Sequence, residues 1–229
     1  MIFGPAFWEI VLLSLQIATV ATVVALPFAI AVAWLLARRR FWGHGVLNGI
    51  VHLPLVLPPV VTGYLLLVLF GRNGPVGAVL YDVFGITLAF RWTGAALAAG
   101  IMAFPLMVRA IRLGFEALDA GIEDAAATLG ASPWKVFRTV TLPLIAPGIL
   151  AGAVLGFAKA LGEFGATITF VAAIPGQTQT IPSAIYNGLQ VPGQEGAVVA
   201  LVTVSIVLAM GALVLSEWLA KRMAARMAA

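Results

Sequence analysis

Apolar residues fall in five long runs, at about Ile10–Ala37, Val46–Phe70, Thr93–Val108, Leu144–Phe170 and Ala197–Leu219. A helix needs roughly 20 apolar residues to cross about 30 Å of hydrocarbon, so the pattern predicts five membrane-spanning helices. The first run is longer than necessary and contains Pro27, which predicts tilt, a kink, or a start outside the hydrocarbon. The second carries Pro54, Pro58, Pro59 and Gly63. Proline removes a backbone donor and frees a carbonyl, and such breaks survive in lipid only where protein or water re-satisfies the backbone. This stretch is expected to line a cavity or an interface, the alternative being a kink tolerated in a packed helix. In the fourth run, Gly148, Gly152 and Gly156 form a small-residue strip that admits a neighbouring helix, within the subunit or across a dimer. Residues 71–91, with an amphipathic piece over Val76–Phe84, and 173–196, rich in proline and glycine, read as connections on the outer side.

One stretch is plainly built for water. Glu123–Pro143, EDAAATLGASPWKVFRTVTLP, carries Glu123, Asp124, Lys135 and Arg138 between apolar segments. Asp119 or the Gly121–Glu123 turn starts a first short helix, Ala125–Leu129 propagate it, and Gly130 supplies a left-handed stop. Ser132 and Pro133 then read as N-cap and first residue of a second helix running toward Val140. The expected shape is helix, glycine elbow, helix, lying outside the bilayer. Ala125, Ala126, Leu129, Trp134 and Phe137 give it a shallow apolar face for a partner.

Composition agrees with the pattern. The 229 residues are 62% hydrophobic and 10% charged, with mean hydropathy +1.08, against roughly a quarter charged in soluble domains. One all-α membrane domain over residues 1–229 is expected, with a cytoplasmic loop at 121–143. The net charge of +4 does not point to nucleic acid, because the basic residues lie beside the spans. With the N-terminus outside and the C-terminus inside, Arg38, Arg39, Arg40, Arg109, Arg112, Lys135, Arg138, Lys221, Arg222 and Arg226 fall on the inner side, and only Arg72 and Arg91 on the outer. That asymmetry is the positive-inside pattern. The segment MIFGPAFWEI lacks the basic start of a secretory signal, so the first span is expected to be retained.

The candidate chemistry is sparse. There is no cysteine, hence no disulfide or thiolate metal site, and no Gly-Lys pair, hence no Walker loop for nucleotide phosphates. If ATP drives this protein, another chain binds it. Neither histidine has partners at metal-ligand spacing, His52 reads as a packing residue, and no serine has a base nearby. No catalytic, cofactor or metal residue is assigned. Lys159 and Glu163, one helical turn apart inside the fourth run, either neutralise each other or line a pathway, and both hold together without conflict. Pro58, Pro59, Thr62, Gly63, Lys159, Glu163, Thr167 and Thr169 form the candidate translocation path, where hydroxyls and one cation fall near the chain breaks.

The polar stretch resembles the Glu-Ala-Ala loop of ABC importer permease subunits. The family pattern is Glu-Ala-Ala, three residues, Gly, nine residues, Ile, one residue, Leu-Pro. Here it reads Asp124-Ala125-Ala126, Gly130, Val140, Leu142-Pro143, with conservative departures at Asp124 and Val140. The resemblance implies the type I importer permease fold, with Glu123, Asp124, Ala125, Ala126, Leu129, Gly130, Val140, Leu142 and Pro143 in a loop that docks on a separate ATPase. His52–Arg72, Phe104–Glu116, Ala160–Val171 and Thr180–Tyr186 extend the similarity to the molybdate permease branch. Sulfate and thiosulfate permeases share the Glu-Phe-Gly-Ala stretch of the fourth span. The resemblance implies a multi-pass subunit of the bacterial cytoplasmic membrane, surrounded by lipid and paired with a second copy of itself. ABC ATPase subunits carrying ATP and magnesium would sit on the inner face, and an external oxyanion-binding protein would deliver molybdate or tungstate. A stand-alone anion channel is the alternative of another class, and a membrane enzyme lacks a convergent set of acid, base and nucleophile.

Overall fold

In the computed structural model, four helices among the described residues are long and apolar enough to cross a bilayer: Pro5–Arg38, Trp92–Ala117, Pro133–Leu161 and Glu195–Leu219. A bent pair, His44–Val56 and Pro59–Phe70, makes five when counted as one span. The structure describes residues 4–227. Met1–Phe3 of the N-terminal segment lie outside the described residues, as do the side chains of Lys221 and Arg226, two of the expected inner charges.

Helix α1 (Pro5–Arg38) keeps Pro27 within one continuous helix. At about 1.5 Å per residue its length exceeds the hydrocarbon thickness. Helices α2 (His44–Val56) and α3 (Pro59–Phe70) meet at a bend of 113°. Each rises only about 20 Å, too short to span alone. The bend falls where the sequence removes two successive donors: Leu57 is extended before Pro58, Pro58 is the N-cap of α3, and Pro59 is its first residue. Helix α4 (Pro75–Phe84) follows, ended by Gly85 in the left-handed region.

Helix α5 (Trp92–Ala117) is the centre of the fold, with two thirds of its apolar window buried. The first half of its buried side is mostly small, with Gly94, Ala95, Ala98, Ala99 and Ala103, and the second half is larger, with Met107, Val108, Ile111 and Phe115. Helix α1 packs along one side and α8 (Leu142–Leu161) along another. The glycine strip of the fourth span is used here, inside the subunit. A Cβ on Gly148 would lie 3.2 Å from Gly114 Cα, one on Gly152 2.8 Å from Ile111 Cγ1, and one on Gly156 2.6 Å from Met107 Sδ. With no hydrophobic drive between helices in lipid, this close approach supplies the packing contacts.

Three features differ from the sequence reading. The second short helix of the polar stretch, α7 (Pro133–Val136), is not free-standing: a π-helical turn at Phe137–Thr141 joins it to α8, so the fourth span begins in the polar stretch. That span also does not run unbroken to Phe170. It stops at Leu161, and a separate helix α9 (Gly165–Val171) starts after Gly162, Glu163 and Phe164. The outer connection contains α10 (Ile181–Gly188), whose N-cap Thr180 and Ser183 form a reciprocal capping box. Ser14 on α1 accepts the Ile181 N–H at 2.8 Å and anchors this helix to the first span. Helix α11 (Glu195–Met227) closes the chain against α8 and α10.

Candidate functional site

The polar stretch folds from its caps. Helix α6 (Ala120–Thr128) begins at Asp119, whose carboxylate accepts the Gly121 N–H at 2.9 Å. It ends in a Schellman turn: Ala131 N–H donates to Ala126 O and Gly130 N–H to Ala127 O, with Gly130 at φ +82°. Ser132 caps α7 by accepting from Lys135 N–H, and Pro133 follows as the first helical residue. Trp134 and Phe137 stack with ring centroids 5.7 Å apart. Leu129 is 89% exposed and Trp134 70% exposed. Asp124, Ala125, Ala127 and Pro143 are exposed, while Glu123, Ala126, Val140 and Leu142 are half-buried. This stretch thus presents apolar residues to solvent on a framework satisfied by its own backbone bonds, which is the character of a surface awaiting a partner.

The second candidate region lies at the two breaks. Helix α3 packs against α9 so tightly that a Cβ on Gly63 would lie 2.5 Å from Ala166 O and 2.8 Å from Thr169 Cβ. Gly165 meets Pro59 in the same way, at 2.7 Å from its Cβ. Pro59, Gly63 and Thr169, expected from sequence as one set, are therefore brought together. Lys159 and Glu163 also meet directly, Nζ to Oε2 at 2.6 Å. Glu163 lies at the break itself and its other oxygen accepts the Ala166 N–H at 3.1 Å, so the carboxylate both neutralises Lys159 and satisfies the first turn of α9.

The threonines differ from expectation. A hydroxyl has one proton to give, and Thr167 donates to Phe164 O while Thr169 donates to Gly165 O, each within its own helix turn. Neither is a free donor for an anion. Thr62 is buried and its Oγ1 has no hydrogen-bond partner. Pro58 is exposed. His52 bonds the Asn48 carbonyl through Nδ1, as a packing histidine does.

Two residues that sequence reasoning treated only as a topology charge and a spacer meet at Glu123. Arg38 pairs with Glu123 at 2.9 Å, and the Thr141 hydroxyl donates to the same carboxylate at 2.5 Å. The signal available was an uncommitted acid beside a basic span end, which does not tell which arginine pairs.

Residues 25–225 match the family described as the binding-protein-dependent transport system inner membrane component. The chain belongs to this family. Within it, the chain is 58% identical over 221 residues to the molybdenum transport system permease protein ModB of Escherichia coli K12, covering 96% of each. It is 58% identical over 211 residues to ModB of Haemophilus influenzae, covering 92% of each. Among solved structures, a bacterial ABC transporter that imports the polysaccharide alginate has the same fold, with a TM-score of 0.75 at 18% identity over 96% of this chain and 80% of that one. The four apolar spans, five with the bent pair, and the exposed polar stretch fit an inner membrane component, and the family gives the fold its type I importer character.

Proposed function

We propose that this chain is the permease subunit of an ATP-driven importer that carries molybdate, and its congener tungstate, across the inner membrane by alternating access. The observation that carries the reading is the identity of 58% across 96% of the length to a molybdenum permease. The capped, solvent-facing α6 and α7 support it. In this reading the N-terminus is outside and the C-terminus inside, and residues 121–143 are the coupling loop, with Leu129 and Trp134 entering a cleft on a separate ABC ATPase. That ATPase binds ATP and magnesium; this chain binds no cofactor. Two copies of the chain enclose the path, and an external oxyanion-binding protein delivers the anion.

The break between α2 and α3 and the break before α9 frame that path. Lys159 is charge-compensated by Glu163, so the pair holds the α8–α9 break in place, and Thr62 at the start of α3 keeps a hydroxyl uncommitted. A path with few free donors suits transport, since tight binding midway would prevent release.

The test is ATP hydrolysis by the complete complex of permease, ATPase and binding protein, titrated with different anions. Molybdate and tungstate are expected to stimulate hydrolysis several-fold and sulfate not at all. Stimulation by sulfate without a molybdate response would assign the chain to sulfate transport instead.

A further inference from the structure

Helix α6 is held to the rest of the molecule through little buried surface. Gly121, Ile122, Asp124, Ala125, Ala127 and Thr128 are all exposed, and its main packing neighbours are α7 and the π turn. Its position relative to the spans is set by polar links that meet at Glu123. Arg38, the last residue of α1, donates from Nη2 to Glu123 Oε2 at 2.9 Å and to the carbonyl of Leu118, the C-cap of α5, at 3.4 Å. Thr141, the last residue of the π turn and only 1% exposed, donates to Glu123 Oε1 at 2.5 Å. One carboxylate on α6 therefore joins the inner ends of α1 and the fourth span, and Arg38 extends the link to the end of α5.

We propose that Arg38 and Thr141 are positioning residues for coupling: with Glu123 they form a clamp that turns displacement of the docking helix into movement of α1 and of the base of the fourth span. The proposal rests on the ATPase-docking reading given above and adds to it the route by which force leaves the docking surface. Three physical points support it. Charge-assisted hydrogen bonds are directional and stronger than neutral ones, so they carry a displacement that a loosely packed helix does not. The clamp also closes on a π turn, a helix irregularity where one turn has an extra residue and backbone bonds are readily re-registered. Finally, Arg38 Nε is buried without a partner, so the guanidinium is held by its Nη2 contacts and follows them.

The test uses the complete complex in proteoliposomes, with Thr141→Val, Thr141→Ser and Arg38→Met beside the unaltered chain. Three quantities are read: ATPase co-purified per permease, ATP hydrolysed, and molybdate accumulated per ATP. Thr141→Val and Arg38→Met are expected to keep the ATPase and its hydrolysis but to lower accumulation per ATP by about tenfold, the shift in an equilibrium that loss of one charged hydrogen bond produces. Thr141→Ser keeps the hydroxyl and is expected to transport as the unaltered chain does, which a purely steric role for Thr141 would not give. Normal accumulation per ATP in both Thr141→Val and Arg38→Met would overturn the clamp. Loss of the ATPase from either variant would overturn it too, by placing these residues in the docking surface. If the unaltered chain itself fails to retain the ATPase, the docking reading falls, and the clamp with it.

Discussion

Replacing Gly130 by proline is expected to abolish ATP-driven uptake while leaving the chain inserted in the membrane. Gly130 sits at φ +82°, which the proline ring, fixed near −65°, does not reach. Its N–H also closes the α6 end on Ala127 O at 3.0 Å, a bond that proline deletes. The local cost is on the order of 3 kcal/mol or more, enough to displace α7 from α6 and to disorganise the face that carries Leu129 and Trp134. Gly130→Ala is expected to be milder. An added Cβ meets nothing within 4 Å, so only the left-handed strain remains, about 1–2 kcal/mol. Membrane yield, ATPase co-purification and uptake measured together separate these cases. Full uptake by Gly130→Pro would remove the glycine elbow from coupling.

The second large effect is expected for Lys159→Met. The Glu163 side chain is 1% exposed and the Lys159 side chain 30% exposed, so removing the lysine strands a buried carboxylate. Breaking such a pair costs on the order of 3 kcal/mol, nearer the lower end of the usual range because Lys159 is partly open to its surroundings. The loss reads as a fall in the thermal midpoint of the purified protein in detergent. The double variant Lys159→Met with Glu163→Gln is expected to recover most of that midpoint, because no unpaired charge remains and the substituted amide oxygen still accepts the Ala166 N–H. Since the ammonium is already compensated, the double variant is also expected to retain most of its uptake. A stable double variant with no uptake would show instead that the Lys159 charge faces the anion.

Much of the 121–143 stretch was legible in the sequence because its geometry is local. Asp119, Gly130, Ser132 and Pro133 each act on backbone within a few residues, and the structure places each at the helix end that its chemistry favours. The break at Pro58 and Pro59 was legible for the same reason, since missing donors are visible in the residue names. The break at Glu163 was not. Gly162 is permissive without being decisive, and the i,i+4 spacing of Lys159 and Glu163 fits an unbroken helix; only the fold shows the Glu163 carboxylate also accepting the Ala166 N–H in the first turn of a new helix. The fusion of α7 to α8 through a π turn was hidden too, because Phe137–Thr141 read as the end of one helix and Leu142-Pro143 as the start of another. The glycine strip was visible as a strip, but its partner was not: only the fold shows that Gly148, Gly152 and Gly156 meet α5. Likewise the meeting of Arg38, Glu123 and Thr141 depends on three elements distant in sequence, and no spacing rule connects them.

If the chain is the permease subunit proposed above, it passes oxyanion only when a separate motor drives it. The most direct test is the flux of labelled molybdate into proteoliposomes containing either the chain alone or the chain with its ATPase and binding protein. The expected result is no flux above that of empty liposomes for the chain alone, and accumulation against a gradient for the complex only when ATP is hydrolysed. Molybdate entering through the chain alone, without ATP, would contradict it.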